Sequence, residues 1–475
     1  MNADRFYIGG EWVAPSGAAT MPIMDPSMDE QVGTVALGRL QDVDHAVQAA
    51  RAAFDEFGRW PNAERLALLR RIRQGTETRR EDLAQAMSLE MGAPISMARE
   101  VQAEAGIGHA DGFIEALEAQ EERWTLSNGD TLLREPIGPA GMITPWNWPI
   151  NQIALKVLPA LATGCPAILK PSEHTPLSAQ IYAEILHDAG VPAGAFALIH
   201  GTGAEVGDAM ARHPELAMIS FTGSTRAGIS VTKAAAQSVK RVTLELGGKS
   251  PNLVLADCGG ALEDRVRASV AECFLNTGQS CDAPTRMIVE AACYDEVVEI
   301  ARDAAETTKV GDPRAEGDHI GPLFDEIQWH RVQAMIATGI EEGARLVAGG
   351  LGKPPGMNRG WYVRPTVFAD VTNDMAIARK EIFGPVLSIL RAEDEAEAIR
   401  IANDTEYGLA AFIQTGDTER AERVAARLRA GAVHVNGGGM GWGTPFGGYK
   451  ASGNGREGGA MGLEDYQEIK SLHFG

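Results

Sequence analysis

The sequence predicts an α/β protein built on a parallel sheet with helices packed on both faces. Two features predict it. Short apolar runs alternate with helical stretches between residues 139 and 256, and a second alternating region runs from about 260 to 450. Parallel strands need crossover connections, and those crossovers put helices over both faces of the sheet.

The elements before that region are helical. Val43, Val47, Ala50, Phe54 and Phe57 recur at i+3/i+4 spacing behind Asp42 and Asp44, and stretches near 64–90 and 97–118 continue the trend. That periodicity is the mark of packing helices. Residues 125–137, TLSNGDTLLREPI, predict a hairpin turning at Asn128-Gly129-Asp130. Lying between helical segments, it has little of its own domain to pack on. Its edge is a candidate for pairing with another subunit.

Strands are expected at 141–144, 167–170, 197–200, 218–222, 242–246 and 252–255, with helices at 150–161, 178–188, 204–212 and 226–237. Further apolar runs lie at 286–289, 386–390 and 432–435. From Gly437 to Gly462 there are twelve glycines in 26 residues, too many for a regular helix or strand. The stretch is either a flexible loop or backbone lying close to a ligand or another chain.

Composition narrows the function. The 475 residues are 44% hydrophobic and 23% charged, ordinary for a globular chain of two or three domains. Their net charge of −21 disfavours nucleic-acid or anionic-membrane partners, although acidic excess also serves plain solubility. No apolar run suits a spanning helix, and Met1–Tyr7 lacks a signal-peptide pattern. The 5 cysteines form no CxxC pair and the 10 histidines no HExxH or HxxxH pair. A disulfide framework, a structural zinc and any other metal site are therefore not expected, and a cytoplasmic setting is.

Parallel sheets bind ligands at the carboxyl ends of their strands, so the residues there carry the chemistry. After the first strand comes Thr144-Pro145-Trp146-Asn147-Trp148-Pro149. The Asn147 amide suits a developing oxyanion or a simple turn. Lys170-Pro171-Ser172-Glu173 suits ribose hydroxyls or a surface salt bridge. Gly201-Thr202-Gly203-Ala204-Glu205-Val206-Gly207 is one residue longer than the dinucleotide fingerprint. Phe221-Thr222-Gly223-Ser224 opens a helix, where backbone N–H groups can meet an anion or merely make a tight turn. Glu245, flanked by Leu244 and Leu246, is placed for a desolvated general base. Cys281 sits among small and polar residues, favouring a reactive thiol over an inert one, whereas Cys273 has apolar neighbours.

Together these segments resemble the NAD(P)-dependent aldehyde dehydrogenase family from about Asp25 to the C-terminus. ITPWNWP (143–149), LKPSE (169–173), FTGST (221–225), LELGGKSP (244–251), GQSC (278–281), EIFGPV (381–386) and PFGGYK (445–450) occur in the family's order. The resemblance implies a Rossmann-type parallel-sheet cofactor domain, an α/β catalytic domain and a small β oligomerisation element. The corresponding divisions are 1–118 with 137–247, then 248–450, then 119–136 with 451–475. It implies Cys281 as nucleophile, Asn147 with the Cys281 N–H as oxyanion hole, and Glu245 as base. Cofactor contacts are implied at Ile143, Thr144, Pro145, Trp146, Asn147, Lys170, Ser172, Glu173, Gly203, Gly207, Phe221, Gly223, Ser224, Glu245, Leu246, Gly247, Glu381 and Phe383. Lys156 and Glu457 match a pair proposed as a proton relay.

The same resemblance implies a substrate tunnel at Trp148, Leu155, Leu275, Asp282, Trp442 and Phe446, mostly apolar and suited to an aliphatic or aromatic aldehyde. Asp282 would disfavour anionic substrates if it points inward. The expected activity is oxidation of a small-molecule aldehyde to the acid with NAD rather than NADP, in a homo-oligomeric dimer or tetramer. The alternatives are acyl transfer to coenzyme A, whose enzymes generally lack the acid at the Glu245 position, and a non-catalytic structural relative.

Overall fold

The computed structural model describes residues 2–474. Its first large sheet has eight strands. In sheet order they are Gly453–Asn454, Arg241–Glu245, Met218–Thr222, Ala140–Ile143, Ala167–Lys170, Phe196–Leu198, Phe6–Ile8 and Glu11–Val13. The five central strands are parallel, and the flanking ones add antiparallel. The chain starts this parallel set in the middle, at Ala140–Ile143, works out to one side, then returns to Met218–Thr222 on the other. That order is doubly wound, and it opens a crevice where the first and fourth parallel strands lie side by side.

Four of the five central strands, all but Arg241–Glu245, are buried along their whole length, which is why strands here read as apolar runs. The helix Pro149–Thr163 after the first strand is buried almost throughout. Pro149 opens it with a preset φ, and Gly164 closes it at φ 86°. Each fully buried Leu, Ile or Val along it contributes roughly 1.5–3 kcal/mol. The helix is thus a rigid bar, and its first turns carry side chains toward the crevice.

The second sheet has seven strands: Arg345–Ala348, Thr366–Ala369, Val386–Ala392, Arg286–Glu290, Pro251–Val254, Ala410–Gln414 and Ala432–Val435. All but the first are parallel. The sixth strand of the 139–256 alternation belongs here, and not with the first five as continuous alternation suggests. Gly247 and Gly248 end the preceding strand, and the chain crosses to the other sheet. A Cβ on Gly248 would lie 2.3 Å from the Cys281 carbonyl oxygen, so only glycine fits this crossover.

The expected hairpin pairs Arg123–Thr125 with Thr131–Pro136, and the C-terminal strand Gln467–Leu472 joins it. Of the last residues, Gly453–Asn454 instead caps the edge of the eight-stranded sheet. Short strands in residues 2–36, including a small sheet of Asn2–Ala3, Thr20–Asp25 and Glu30–Ala36, had no counterpart in the expected elements. The glycine-rich stretch contains a 3-10 turn, Lys450–Ser452, and runs into the α-helix Gly459–Glu464, with Leu463 fully buried. Tertiary packing overrides poor propensity there. Elsewhere its glycines allow backbone to pass backbone. A Cβ on Gly453 would sit 1.9 Å from the Leu244 carbonyl oxygen, and one on Gly459 the same distance from that of Gly443. Among the described residues no helix is long and apolar enough to cross a membrane.

Candidate active site

Two cavities meet at Cys281. One, of about 510 Å³, is lined by Pro145, Trp146, Asn147, Gly223, Ser224, Glu245, Leu246, Gly247, Glu381 and Phe383 along with other residues. The second, of about 290 Å³, is lined by Trp148, Leu155, Leu275, Asp282, Trp442 and Phe446 among others. Cys281 lines both. It is the one cysteine of the five that is not buried.

The loop that carries Cys281 is held in an unusual backbone. Asn276 (φ 52°), Thr277 (φ 59°) and Gly278 (φ 70°) are successive left-handed residues. Such conformations cost about 1–3 kcal/mol for non-glycine residues and persist only where neighbours enforce them. Here the neighbours are identifiable. Asn276 Nδ2 donates to the Asn147 carbonyl at 2.8 Å, and Thr277 Oγ1 donates to the Gly321 carbonyl at 3.1 Å. Gln279, fully buried, donates to the Asn276 carbonyl at 3.1 Å and accepts from the Phe324 N–H at 3.0 Å. Gly278 has no room for a Cβ, which would meet the Gly384 carbonyl oxygen at 2.3 Å.

The same loop is tied to the first strand end. Asn147 Nδ2 donates to the Gln279 carbonyl at 3.0 Å, and Trp148 Nε1 donates to Ser280 Oγ at 2.8 Å. A carboxamide nitrogen carries two hydrogens, so Asn147 keeps one for an oxyanion formed at Cys281. Burial pushes the Cys281 thiol well above its ordinary value, and the carboxylates of Asp282, Glu381 and Glu245 push the same way.

Glu245 ends its strand inside the first cavity with neither carboxylate oxygen hydrogen-bonded. Burial raises its carboxyl well above the ordinary range, and the Glu457 carboxylate adds to this against Lys156. Lys156 and Glu457 form a buried ion pair.

The first cavity fits a nicotinamide dinucleotide on several counts. Ser224, part of the lining, caps the helix Thr225–Ala235, so the positive end of that helix adjoins the cavity. Thr222 Oγ1 is buried without a partner beside Gly223. Glu381 accepts from the Gly248 N–H at 3.1 Å, and burial raises its carboxyl to about 7. Its carboxylate fills the space where a Gly247 Cβ would stand. Phe383 is itself left-handed, at φ 60°, and Gln328 Nε2 holds its carbonyl at 2.8 Å. Trp146 stacks on Phe324 at 4.0 Å and meets Phe383 edge-on at 5.5 Å.

The other expected contacts lie outside the lining of this cavity. Ile143 and Phe221 are buried in the sheet's hydrophobic core. Thr144 is buried with its Oγ1 unpartnered, and Ser172 Oγ accepts from the His174 N–H. Lys170 spends all three N–H donors on protein: Pro171 O at 2.8 Å, Gly201 O at 2.8 Å and Glu173 Oε2 at 3.0 Å. Gly207 lies against Lys170, while Gly203 is exposed with open space around it. Gln279, Asn276, Gln328 and Phe324 were not singled out from sequence. Gln279 lies inside a quoted motif, but the others carry no local signal.

The chain matches the model of the Aldehyde dehydrogenase family over residues 12–472. It is 48% identical over 471 residues to a 3-succinoylsemialdehyde-pyridine dehydrogenase of a Pseudomonas species, covering 98% of both chains. Its structure superposes on a crystal structure of an aldehyde dehydrogenase from Bartonella henselae with a TM-score of 0.97, at 48% identity over 99% of each chain. A mutant of aldehyde dehydrogenase C from Pseudomonas syringae, crystallised with NAD+ and octanal, matches with a TM-score of 0.97. Identity there is 49%, over 99% of this chain and 96% of that one.

Proposed function

The chain belongs to the aldehyde dehydrogenase family, and from that premise we propose that it oxidises an uncharged aldehyde to the carboxylic acid with NAD, through a thioester on Cys281. The observation that carries this is the meeting of the two cavities at Cys281. A nicotinamide fits on one side of the sulfur and an apolar aldehyde on the other. The related enzyme bound to NAD+ and octanal supports both assignments.

Cys281 attacks the aldehyde carbonyl, and the resulting oxyanion is held by the free N–H of Asn147 and the N–H of Cys281. Losing one such donor typically costs about 10²–10³ in rate. A bound nicotinamide supplies the acceptor for the hydride. Glu245 takes a proton from the water that releases the acid, a contribution of about 10²–10⁴. Lys156, paired with Glu457, sits close enough to Glu245 to favour its ionised form. Glu173 and Glu381 are the carboxylates that would accept from the two ribose groups.

We assign residues 1–118 and 137–247 to the cofactor domain, 248–450 to the catalytic domain, and the hairpin sheet to subunit contact. The sheet's outer strands and the half-exposed Ile469 leave an edge open to a second copy. A reducing cytoplasm is the setting that suits a free catalytic thiol. The test is NADH formation at 340 nm over a panel of aldehydes, with and without coenzyme A. Turnover is expected without coenzyme A; turnover only in its presence would refute hydrolysis.

A further inference from the structure

The second cavity carries carboxylates without a compensating cation. Glu272, Asp282 and His109 are its ionisable lining apart from Cys281, and no lysine or arginine is among its lining residues. Asp282 follows the nucleophile directly and is half-buried, and Glu272 stands at the end of helix Leu262–Phe274. Neither makes an ion pair among the described residues. His109 is no counter-charge. It is buried, and desolvation lowers its imidazole to about 4 against a hydrogen bond with Asn151 at 2.7 Å. His434 is the one basic group felt by both carboxylates, and its Nδ1 is engaged by the Gly438 carbonyl at 2.8 Å.

Asn151, Gln152, Ser280 and Thr444 add uncharged polar groups, and the remaining lining is mostly apolar and continues to the surface. Val101, Met440 and Trp442 are exposed at the cavity's mouth, at 39%, 40% and 48%. Trp442 is held there by the absence of a side chain on helix Ala103–Ala119. A Cβ on Gly108 would lie 2.2 Å from the indole, and His109 meets the ring edge-on at 5.0 Å. An aldehyde bound with its carbonyl at Cys281 therefore passes Asp282 and Glu272 and leaves its far end on an apolar collar.

We infer that Asp282 and Glu272 together select against aldehydes bearing a second, anionic group, so that the enzyme discriminates an apolar aldehyde from its ω-carboxylate of the same length. This rests on the proposed function. It adds which substrates are refused and which side chains refuse them. An incoming carboxylate would meet Glu272 at the exposed end of the cavity and the half-buried Asp282 beside the sulfur, like-charge contacts that are unfavourable and that no lysine or arginine of the lining offsets.

The test compares kcat/KM for octanal and 8-oxooctanoate in the wild type and in Asp282→Asn, Glu272→Gln and the double variant. A preference of at least about tenfold for octanal is expected, carried mainly by KM, weakened by added salt and narrowed in each variant. Glu272→Lys, at an exposed position, should narrow it further. A second readout needs no turnover. Alkylation of Cys281 by iodoacetate and by iodoacetamide is followed by mass spectrometry of the Cys281 peptide, with 2-mercaptoethanol as reference thiol. The iodoacetate-to-iodoacetamide rate ratio should rise at least threefold in the double variant. An unchanged ratio, or equal use of both aldehydes by the wild type, overturns the inference. Absence of NADH with every aldehyde while the alkylation ratio still shifts would overturn the proposed function and uphold the charge selection.

Discussion

The side-chain nitrogen of Asn147 donates to the main-chain carbonyl of Gln279 at 3.0 Å, across 132 residues of sequence. The contact joins the end of a cofactor-sheet strand to the loop that presents Cys281. Asn276 returns it, donating to the Asn147 carbonyl at 2.8 Å. Asn147 and the loop that carries Cys281 are thereby positioned by one shared set of hydrogen bonds.

Cys281→Ala should abolish dehydrogenase activity while leaving NAD binding intact, because the thiol performs the covalent step and holds little of the cofactor. Calorimetric titration with NAD beside a turnover assay checks this. Alanine at Cys165, Cys258, Cys273 or Cys293, all buried away from the junction, should leave turnover near wild type.

Glu245→Gln should leave acyl transfer to Cys281 possible and block its release. Quenched samples should carry an acyl adduct on the Cys281 peptide, and normal turnover would contradict the role of Glu245 as base. The pH dependence has a definite sign. Burial, with Glu457, raises the Glu245 carboxyl well above the ordinary range. The base is therefore ionised only at higher pH, and acyl release should slow as pH falls through that raised value.

Cys281 should titrate high in the absence of cofactor, since burial and three neighbouring carboxylates all oppose the thiolate. Its alkylation by iodoacetamide should keep accelerating as pH rises past the ordinary thiol range. Added NAD, which brings a cationic ring, should speed the reaction at fixed pH. A rate already level at neutral pH without NAD would show an activated thiol instead.

NAD should be preferred to NADP by at least about tenfold, a step of about 1.4 kcal/mol. A 2′-phosphate at Glu173 would face a carboxylate, and Lys170 has no donor left to soften the contact. Glu173→Gln should narrow the ratio of kcat/KM values. Better use of NADP by the wild type would mean that Glu173 does not meet the ribose.

Gly248→Ala should damage activity more than stability. Its Cβ would press on the Cys281 carbonyl at 2.3 Å, and neither backbone can yield without moving the nucleophile. Overpacking of this kind costs about 1–3 kcal/mol, whereas a shift of order 1 Å at a reacting atom costs about 10²-fold in rate. Denaturation midpoints and kcat, measured together, separate the two effects.

The sequence by itself determined the central strands and marked the reactive residue types at their ends. Apolar runs at 167–170 and 218–222 became strands with those bounds, and the six side chains that the family resemblance implied around an aldehyde, from Trp148 to Phe446, line one cavity. Periodicity and strand-end motifs are local, so they are legible in a single chain. Only the tertiary structure decided which sheet Pro251–Val254 joins, because an apolar strand pattern does not name its neighbour. It also decided that Lys170 is saturated by two backbone carbonyls and the Glu173 carboxylate, and that Glu272 and Asp282 line one cavity with an apolar mouth. Those relationships depend on packing between segments far apart in the chain. Hydrogen-bond saturation and unpaired charge exist only once that packing has brought the groups together.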